Sequence, residues 1–275
     1  MTENVTSEQI DRLGPQERRF LTGLAGAGKR VFKTEDALPF WASRHQTWKA
    51  LSRLESKGWL LRLERATYLI VPLEAGQDRT WTEDPFVIAS QLDPGAAVAY
   101  WSALRFWGMT EQLPRTTFVQ TARRRFSPQV EILGVRYRFV VVTPRKLFGV
   151  VSQTSDGLPF RVTDREKTVV DACDRPNLCG GVQQLVAALR SAPQPDWSKV
   201  DDYLSRFRSG AVYKRLGFLV ERLDLPIQER DDRLRRWRGA LTEGVAMLDP
   251  GGPRDGPVDT HWRIRVNVRA LRRAQ

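Results

Sequence analysis

The chain has 275 residues, 44 Lys and Arg against 32 Asp and Glu, and a formal net charge of +12 at pH 7. That length exceeds one small core, so two domains are expected, and the arginine-rich excess favours phosphate-bearing partners. No apolar run approaches a membrane span, and Cys173, Cys179, His45 and His261 have neither the number nor the spacing of a disulfide framework or a structural zinc site.

The start, MTENVTSEQIDRLG, is polar and lacks a signal-peptide core, so a cytoplasmic location is expected. Val5 to Leu24 reads as a helix, with the Gly14-Pro15 pair marking a fresh start near Pro15. GLAGAGKR follows. Gly23, Gly28 and Lys29 match the spacing of a phosphate-binding loop, but Arg30 replaces the magnesium-binding Ser or Thr. The context is also inverted, because a helix precedes the glycines and a strand, Val31-Phe32, follows them.

Thr34 to Val71 carries the clearest pattern. Thr34 is a candidate N-cap for a short helix ended near Pro39, with Glu35 and Asp36 in its first turn. Ser43 can cap a second helix running to about Lys57, which Gly58 stops in the left-handed conformation. Trp59 to Leu63 and Thr67 to Val71 read as two strands about the turn Glu64-Arg65-Ala66. This order is that of a winged helix-turn-helix. At about 100° per residue, Trp48, Leu51 and Leu54 share one side of the second helix, while Gln46, Lys49 and Arg53 share the other, with Ala50 and Lys57 beside them. Gln, Arg and Lys on one face suit adenine, guanine and phosphate in a major groove. Arg44 and His45, at the helix start, are placed to touch backbone, and Arg62 and Arg65, in or beside the hairpin, to touch the flanking backbone or minor groove.

Pro72 to Asp84 is polar and serves as the expected linker. The domains are set at residues 1–78 and 79–275, giving an α+β chain with a larger mixed C-terminal domain. In that domain Pro85 to Leu92 and Ala96 to Trp107 read as helices and Thr116 to Thr121 as a strand. Tyr100, Trp101, Leu104, Phe106 and Trp107 read as an aromatic core. Val135 to Val142 alternates, with Arg136 and Arg138 opposite Val135, Tyr137, Phe139 and Val141. Between Arg115 and Lys146 stand eight basic residues, Arg123, Arg124 and Arg125 among them, against the single acid Glu131. That bias marks a second positive surface. Leu147 to Phe160 is mixed and turn-rich. Thr163 and Glu166 have capping-box spacing for the next helix. Short helices are expected over Val182 to Leu189, Val200 to Phe207, Ala211 to Leu223 and Arg230 to Leu241, and a last strand over Trp262 to Arg269.

Asp164, Glu166, Asp171 and Asp174 invite a metal-dependent nuclease reading. Against it, Asp164 and Glu166 sit at the cap, and Asp171 and Asp174 read as solvated. No nucleophile motif stands out, so no catalytic residue, metal or cofactor is expected.

Several stretches occur in an order that resembles the AbiEi family of antitoxins, from type IV toxin–antitoxin and phage abortive-infection operons. They are the module from Thr34 to Pro72, AYWSALRFWGMTEQLP, TFVQTARRR, FG followed by VTDREKTVVDACDRP, YKRLGFLVERL, and LDPGG…GP…HWRIRVNV. One departure is ERATY, which replaces a glycine-containing wing turn. The resemblance implies a winged domain that binds inverted repeats in its own promoter and represses it. It also implies a second domain that counteracts a cognate nucleotidyltransferase toxin, without a stable complex being required, and basic surface on that domain that helps hold DNA. The expected partners are thus operator DNA and the toxin, with no membrane and no small-molecule ligand. The rival readings are a DNA-targeted nuclease and a winged-helix regulator that senses a ligand through the Tyr100 to Trp107 segment.

Overall fold

A computed structural model describes residues 13–72, 83–125, 127–191 and 193–272. The expectations for Val5 to Ile10, and for the linker at 73–82 with the 78/79 boundary, fall outside these residues. The fold is mixed α+β. It divides into two compact units. The first takes in the described residues up to Pro94, with Ile132–Gly134 and Thr154–Phe160. The second holds Gly95–Glu131, Val135–Gln153 and the described residues from Arg161 onwards.

The first unit opens with α1 (Pro15–Gly26), which has Pro15 at its first position. Then come β1 (Val31–Lys33), the single turn α2 (Thr34–Ala37), a 3-10 turn at Leu38–Phe40, α3 (Arg44–Ser56), β2 (Leu60–Glu64) and β3 (Thr67–Ile70). The expected cap Thr34 is instead the first residue of α2. Lys33 holds the cap position, and its N–H donates to Asp36 Oδ2 at 2.8 Å. The strands form an antiparallel sheet in the order β1-β3-β2. Phe20 of α1 anchors the core, edge-on to Phe32, Phe40 and Trp41 with centroids 4.9–5.3 Å apart. Leu51 and Leu54 of α3 close the core over Leu60 and Ile70.

Helix α4 (Pro85–Leu92), expected to open the second domain, belongs to the first unit. The reason is Gln91. Its Oε1 accepts from the backbone N–H groups of Arg30 and Val31, and its Nε2 donates to the Gly28 carbonyl. One side chain thereby satisfies three backbone groups of the loop between α1 and β1.

The second unit carries most of a six-stranded sheet in the order β6-β7-β5-β4-β9-β8, of which Ile132 and the hairpin end Thr154–Phe160 count with the first unit. Its strands are β4 (Ala97–Val98), β5 (Thr116–Thr121), β6 (Gln129–Ile132), β7 (Val135–Val141), β8 (Val150–Ser155) and β9 (Leu158–Thr163). β5 and β7 pair in parallel, as do β4 and β9, and β4 and β5 are antiparallel. The helix expected over Ala96 to Trp107 is split into β4 and α5 (Tyr100–Phe106). The turn-rich stretch before Phe160 is the β8–β9 hairpin, with Asp156 and Gly157 both at positive φ.

Helices α6 (Arg165–Asp174), α7 (Val182–Arg190), α8 (Trp197–Phe207), α9 (Gly210–Arg222) and α10 (Arg230–Gly239) follow. The unit ends in a small sheet of β10 (Ala246–Met247), β11 (Val258–Asp259) and β12 (Ile264–Arg265). The long alternating strand expected over Trp262 to Arg269 shrinks to the two residues of β12, because Trp262 is fully buried against α9. A Cβ at Gly217 would meet its ring at 2.0 Å, so only glycine admits that approach. Within the YKRLGFLVERL segment, Glu221 also accepts from the Trp262 indole N–H at 2.6 Å.

Candidate nucleic-acid interface

The candidate interface is built on α3. Ser43 Oγ accepts from Gln46 N–H at 3.2 Å, which starts the helix at Arg44, and Gly58 at φ +79° ends it. Thr47, Ala50, Leu51 and Leu54 form its buried stripe. The remaining arc is solvent-exposed and carries Arg44, His45, Gln46, Trp48, Lys49, Ser52 and Arg53.

One expectation is corrected here. Trp48 lies in the exposed arc and not with Leu51 and Leu54, while Ala50 is fully buried. The stripe is set by packing against α1 and the sheet, which selects the small Thr47 and Ala50 to flank the two leucines. Trp48 falls roughly a third of a turn outside it. Arg53 is exposed and is also tied inward. Its Nε donates to Glu17 Oε1 at 3.0 Å, and Lys57 Nζ donates to Glu17 Oε2 at 2.8 Å.

Glu17 went unnoticed in the sequence. It is only 4% exposed, and its Oε2 also accepts from Gly14 N–H at 3.1 Å. Burial alone would raise its carboxyl. The hydrogen bonds from Lys57 and Gly14 and the charges of Lys57 and Arg53 outweigh burial and hold it below the usual glutamate value. The signal was available: Pro15 at the first helical position with Glu at the third marks a capped start. Glu17 therefore clamps α1 to α3 and fixes how far α3 stands out.

Among the described residues, the side chains of Arg44, His45, Gln46 and Lys49 make no hydrogen bond or ion pair. Arg62, on β2, and Arg65, in the turn, are exposed as well. That turn contains no glycine, and Ala66 takes φ +60° instead. Where the register shifts between Arg62 and Glu64, the strand carries a bulge.

The second unit carries its own basic surface. Arg115, Arg123, Arg124, Arg136, Arg138 and Arg145 are exposed. Arg136 and Arg138 lie on one face of β7, in register with Thr116 and Phe118 of β5. Tyr137 and Phe139 are buried on the opposite face, as the alternation predicts, although Val141 is exposed. Two members of the run are committed elsewhere. Arg125 stacks over Phe139 at 4.0 Å, and Lys146 pairs with Asp174 at 2.8 Å and sits over the Phe207 ring.

The four carboxylates of the nuclease reading all have internal partners. The cap of α6 is Asp164, whose Oδ1 accepts from Lys167 N–H at 2.8 Å, so Thr163 and Glu166 form no capping box. Asp164 Oδ2 accepts from Tyr203 Oη at 2.7 Å and pairs with Lys199 at 3.0 Å. Glu166 accepts from Asp196 N–H at 3.0 Å and pairs with Lys199 at 3.2 Å. The two bonds to Lys199 push its ammonium above the ordinary lysine value against the opposing effect of burial. Asp171 was expected to be solvated and is instead fully buried, bonded to Lys167 and Gln120. Among the described residues no group of His, Cys, Asp and Glu is arranged to hold a metal. Both cysteines are free and buried, and burial pushes the Cys173 thiol up to about 12. Among the described helices, none is long and apolar enough to cross a membrane. In the aromatic segment, Tyr100 and Leu104 belong to the core and Trp101 and Trp107 pack against it.

No family model and no curated protein matches the chain. Among solved structures it is similar to the RV2827C protein from Mycobacterium tuberculosis, with a TM-score of 0.59 and 17% identity over 92% of each chain. At that identity the likeness speaks to the mixed α+β fold alone.

Proposed function

We propose that the chain is a DNA-binding autorepressor whose first unit is a winged helix-turn-helix, with α3 as its recognition helix and the β2–β3 hairpin as its wing. One observation carries this reading. α3 is packed on one side only, and the arc it leaves exposed has polar side chains, among them Arg44, His45, Gln46 and Lys49, with no hydrogen-bond or ion-pair partner among the described residues. Cationic and amide groups on a one-sided helix can serve phosphates and base edges together. Arg62 and Arg65 would contact flanking backbone. On the second unit, Arg123, Arg124, Arg136 and Arg138 form a further phosphate-binding surface. Arg53 and Lys57 hold α3 in place through Glu17 and act on DNA indirectly.

The antitoxin half of the proposal rests on the ordered sequence resemblance. In that reading the second unit counteracts a nucleotidyltransferase toxin, and the protein acts by binding, without chemistry of its own. The commitment of Asp164, Glu166, Asp171 and Asp174 to internal partners supports binding over cleavage.

The test is a titration against the DNA immediately upstream of this gene, at two salt concentrations, with shuffled DNA as control. The expected outcome is sequence-selective binding that weakens steeply with salt, as released counterions require. The double variant Arg44→Ala, Lys49→Ala should remain folded and lose selective binding. Equal affinity for both DNAs would reduce the reading to non-specific attraction. Rescue of cells from the toxicity of the neighbouring gene then tests the antitoxin half separately.

A further inference from the structure

Trp48 is 62% exposed, and among the described large apolar side chains only Leu113 exceeds it. A single exposed apolar residue is ordinary. The setting of Trp48 is not. Arg44 and Ser52 stand one helical turn to either side of it, and His45 and Lys49 lie alongside, all of them exposed. The only acid in α3 is Glu55, two turns further on. An indole ringed by cations and hydroxyls is poorly matched to an acid-free apolar pocket on another protein. It is well matched to a polyanion that also offers apolar atoms at the depth a helix side chain reaches.

The major groove has one such feature, the 5-methyl group of thymine, and beside it the O4 acceptor. The indole supplies an apolar face and one N–H donor, and it has no acceptor. It is therefore complementary to thymine on both counts, and it has nothing to offer the amino donors of adenine and cytosine. Trp48 also lies in the first half of α3, the part of a recognition helix that meets base edges. Resting on the DNA reading above, we infer that Trp48 is a specificity-determining residue that packs on the methyl group of a thymine in the operator. Arg44 and Lys49 flank it and serve the neighbouring phosphates and base edges. Selectivity at that position then comes from an apolar contact, and so it persists at salt concentrations that weaken the phosphate contacts.

The experiment begins by selecting duplexes from a randomised pool with the full-length protein. Each thymine of the selected duplex is then replaced in turn by deoxyuridine, which lacks only the methyl group. The expected result is a loss of about fourfold in affinity at a particular thymine, the value of one buried methyl-sized group. Trp48→Ala should bind more weakly and be indifferent to that replacement, and Trp48→Phe should keep part of the dependence. The wild-type scan needs no variant to fold. A wild type indifferent to every methyl removal overturns the inference while leaving DNA binding intact. So does a Trp48→Ala protein with an unchanged thymine dependence. So does a Trp48→Ala protein whose free sedimentation shifts while the thymine pattern stays the same, which places the indole between copies of the chain. Failure to select any duplex overturns the DNA reading itself, and the inference with it.

Discussion

Helices α3 and α6 are both dense in charge, and they treat that charge in opposite ways. In α3 the packed stripe is Thr47, Ala50, Leu51 and Leu54, and every cation of the helix is exposed. In α6 the eight residues from Glu166 to Cys173 are all buried, Lys167 and Asp171 among them. Neighbours cover α6 on all sides, so its charges must find partners inside. Lys167 finds Asp171 one turn on, and its ammonium faces the rings of Phe148 and Phe207 at 5.1 and 5.3 Å. Gly149, at φ +60°, makes room for this arrangement, since a Cβ there would meet Lys167 Cβ at 2.8 Å. A charged residue is thus available to an outside partner only where packing leaves part of the helix circumference open.

That contrast can be broken at several points. The largest effect should come from Asp171→Ala, which leaves the Lys167 ammonium buried without its carboxylate. A loss of about 3–5 kcal/mol is expected in urea unfolding. Adding Lys167→Met should recover much of it. A double variant no more stable than Asp171→Ala would show that the pair does more than neutralise itself.

Glu17→Gln comes next, with a loss of about 1–2 kcal/mol. The pair is only half inside: Glu17 is buried, but the Arg53 side chain is 59% exposed. The sign of its pH dependence follows from the lowered carboxyl. The native value lies below the unfolded one, so the stabilisation is complete above the ordinary glutamate range. It disappears as the pH falls through the lowered native value. Thermal melts of the wild type and the variant should therefore converge in acid. A gap between them that persists at low pH would assign the loss to packing.

Ala66→Gly should act in the opposite direction. The left-handed geometry at Ala66 costs an alanine about 1–2 kcal/mol, and the greater freedom of glycine in the unfolded chain offsets part of that. A gain of about 0.5–1 kcal/mol is expected in the same assay, with little effect on α3. The smallest change should come from Arg44→Ala with Lys49→Ala, within about 0.5 kcal/mol of wild type, because neither exposed side chain has a hydrogen bond or ion pair to lose among the described residues. A larger loss would mean that the open arc of α3 is structural after all.

Much of this was legible locally. The Ser43 cap, the Gly58 stop and the strands about Arg65 and Ala66 depend on neighbours within a few residues, and sequence spacing reports those well. The Asp156-Gly157 turn was equally local. Two strands about an Asp-Gly pair are a hairpin signal, and the stretch was nonetheless read as irregular. Other features were not local. Asp171 read as solvated, because Lys167 one turn away does not by itself signal burial, and Gln120, Phe148 and Phe207 arrive from distant parts of the chain. Arg233, one of the many charges between Arg230 and Leu241, is buried, bonded to Asp201 and to the Trp197 carbonyl.

The candidate site divides along the same line. The sequence by itself determined where α3 begins and ends and which residue types it carries, since caps and composition act over one turn of chain. Only the tertiary structure decided which part of its circumference stays open. Glu17, from a helix about thirty residues earlier in the chain, draws Arg53 and Lys57 back and leaves Arg44 and Lys49 forward. The same packing chose Ala50 for the core and turned Trp48 outward. A periodic pattern defines a face only to within about a residue, and α1 with the β-sheet picked the one they could close upon.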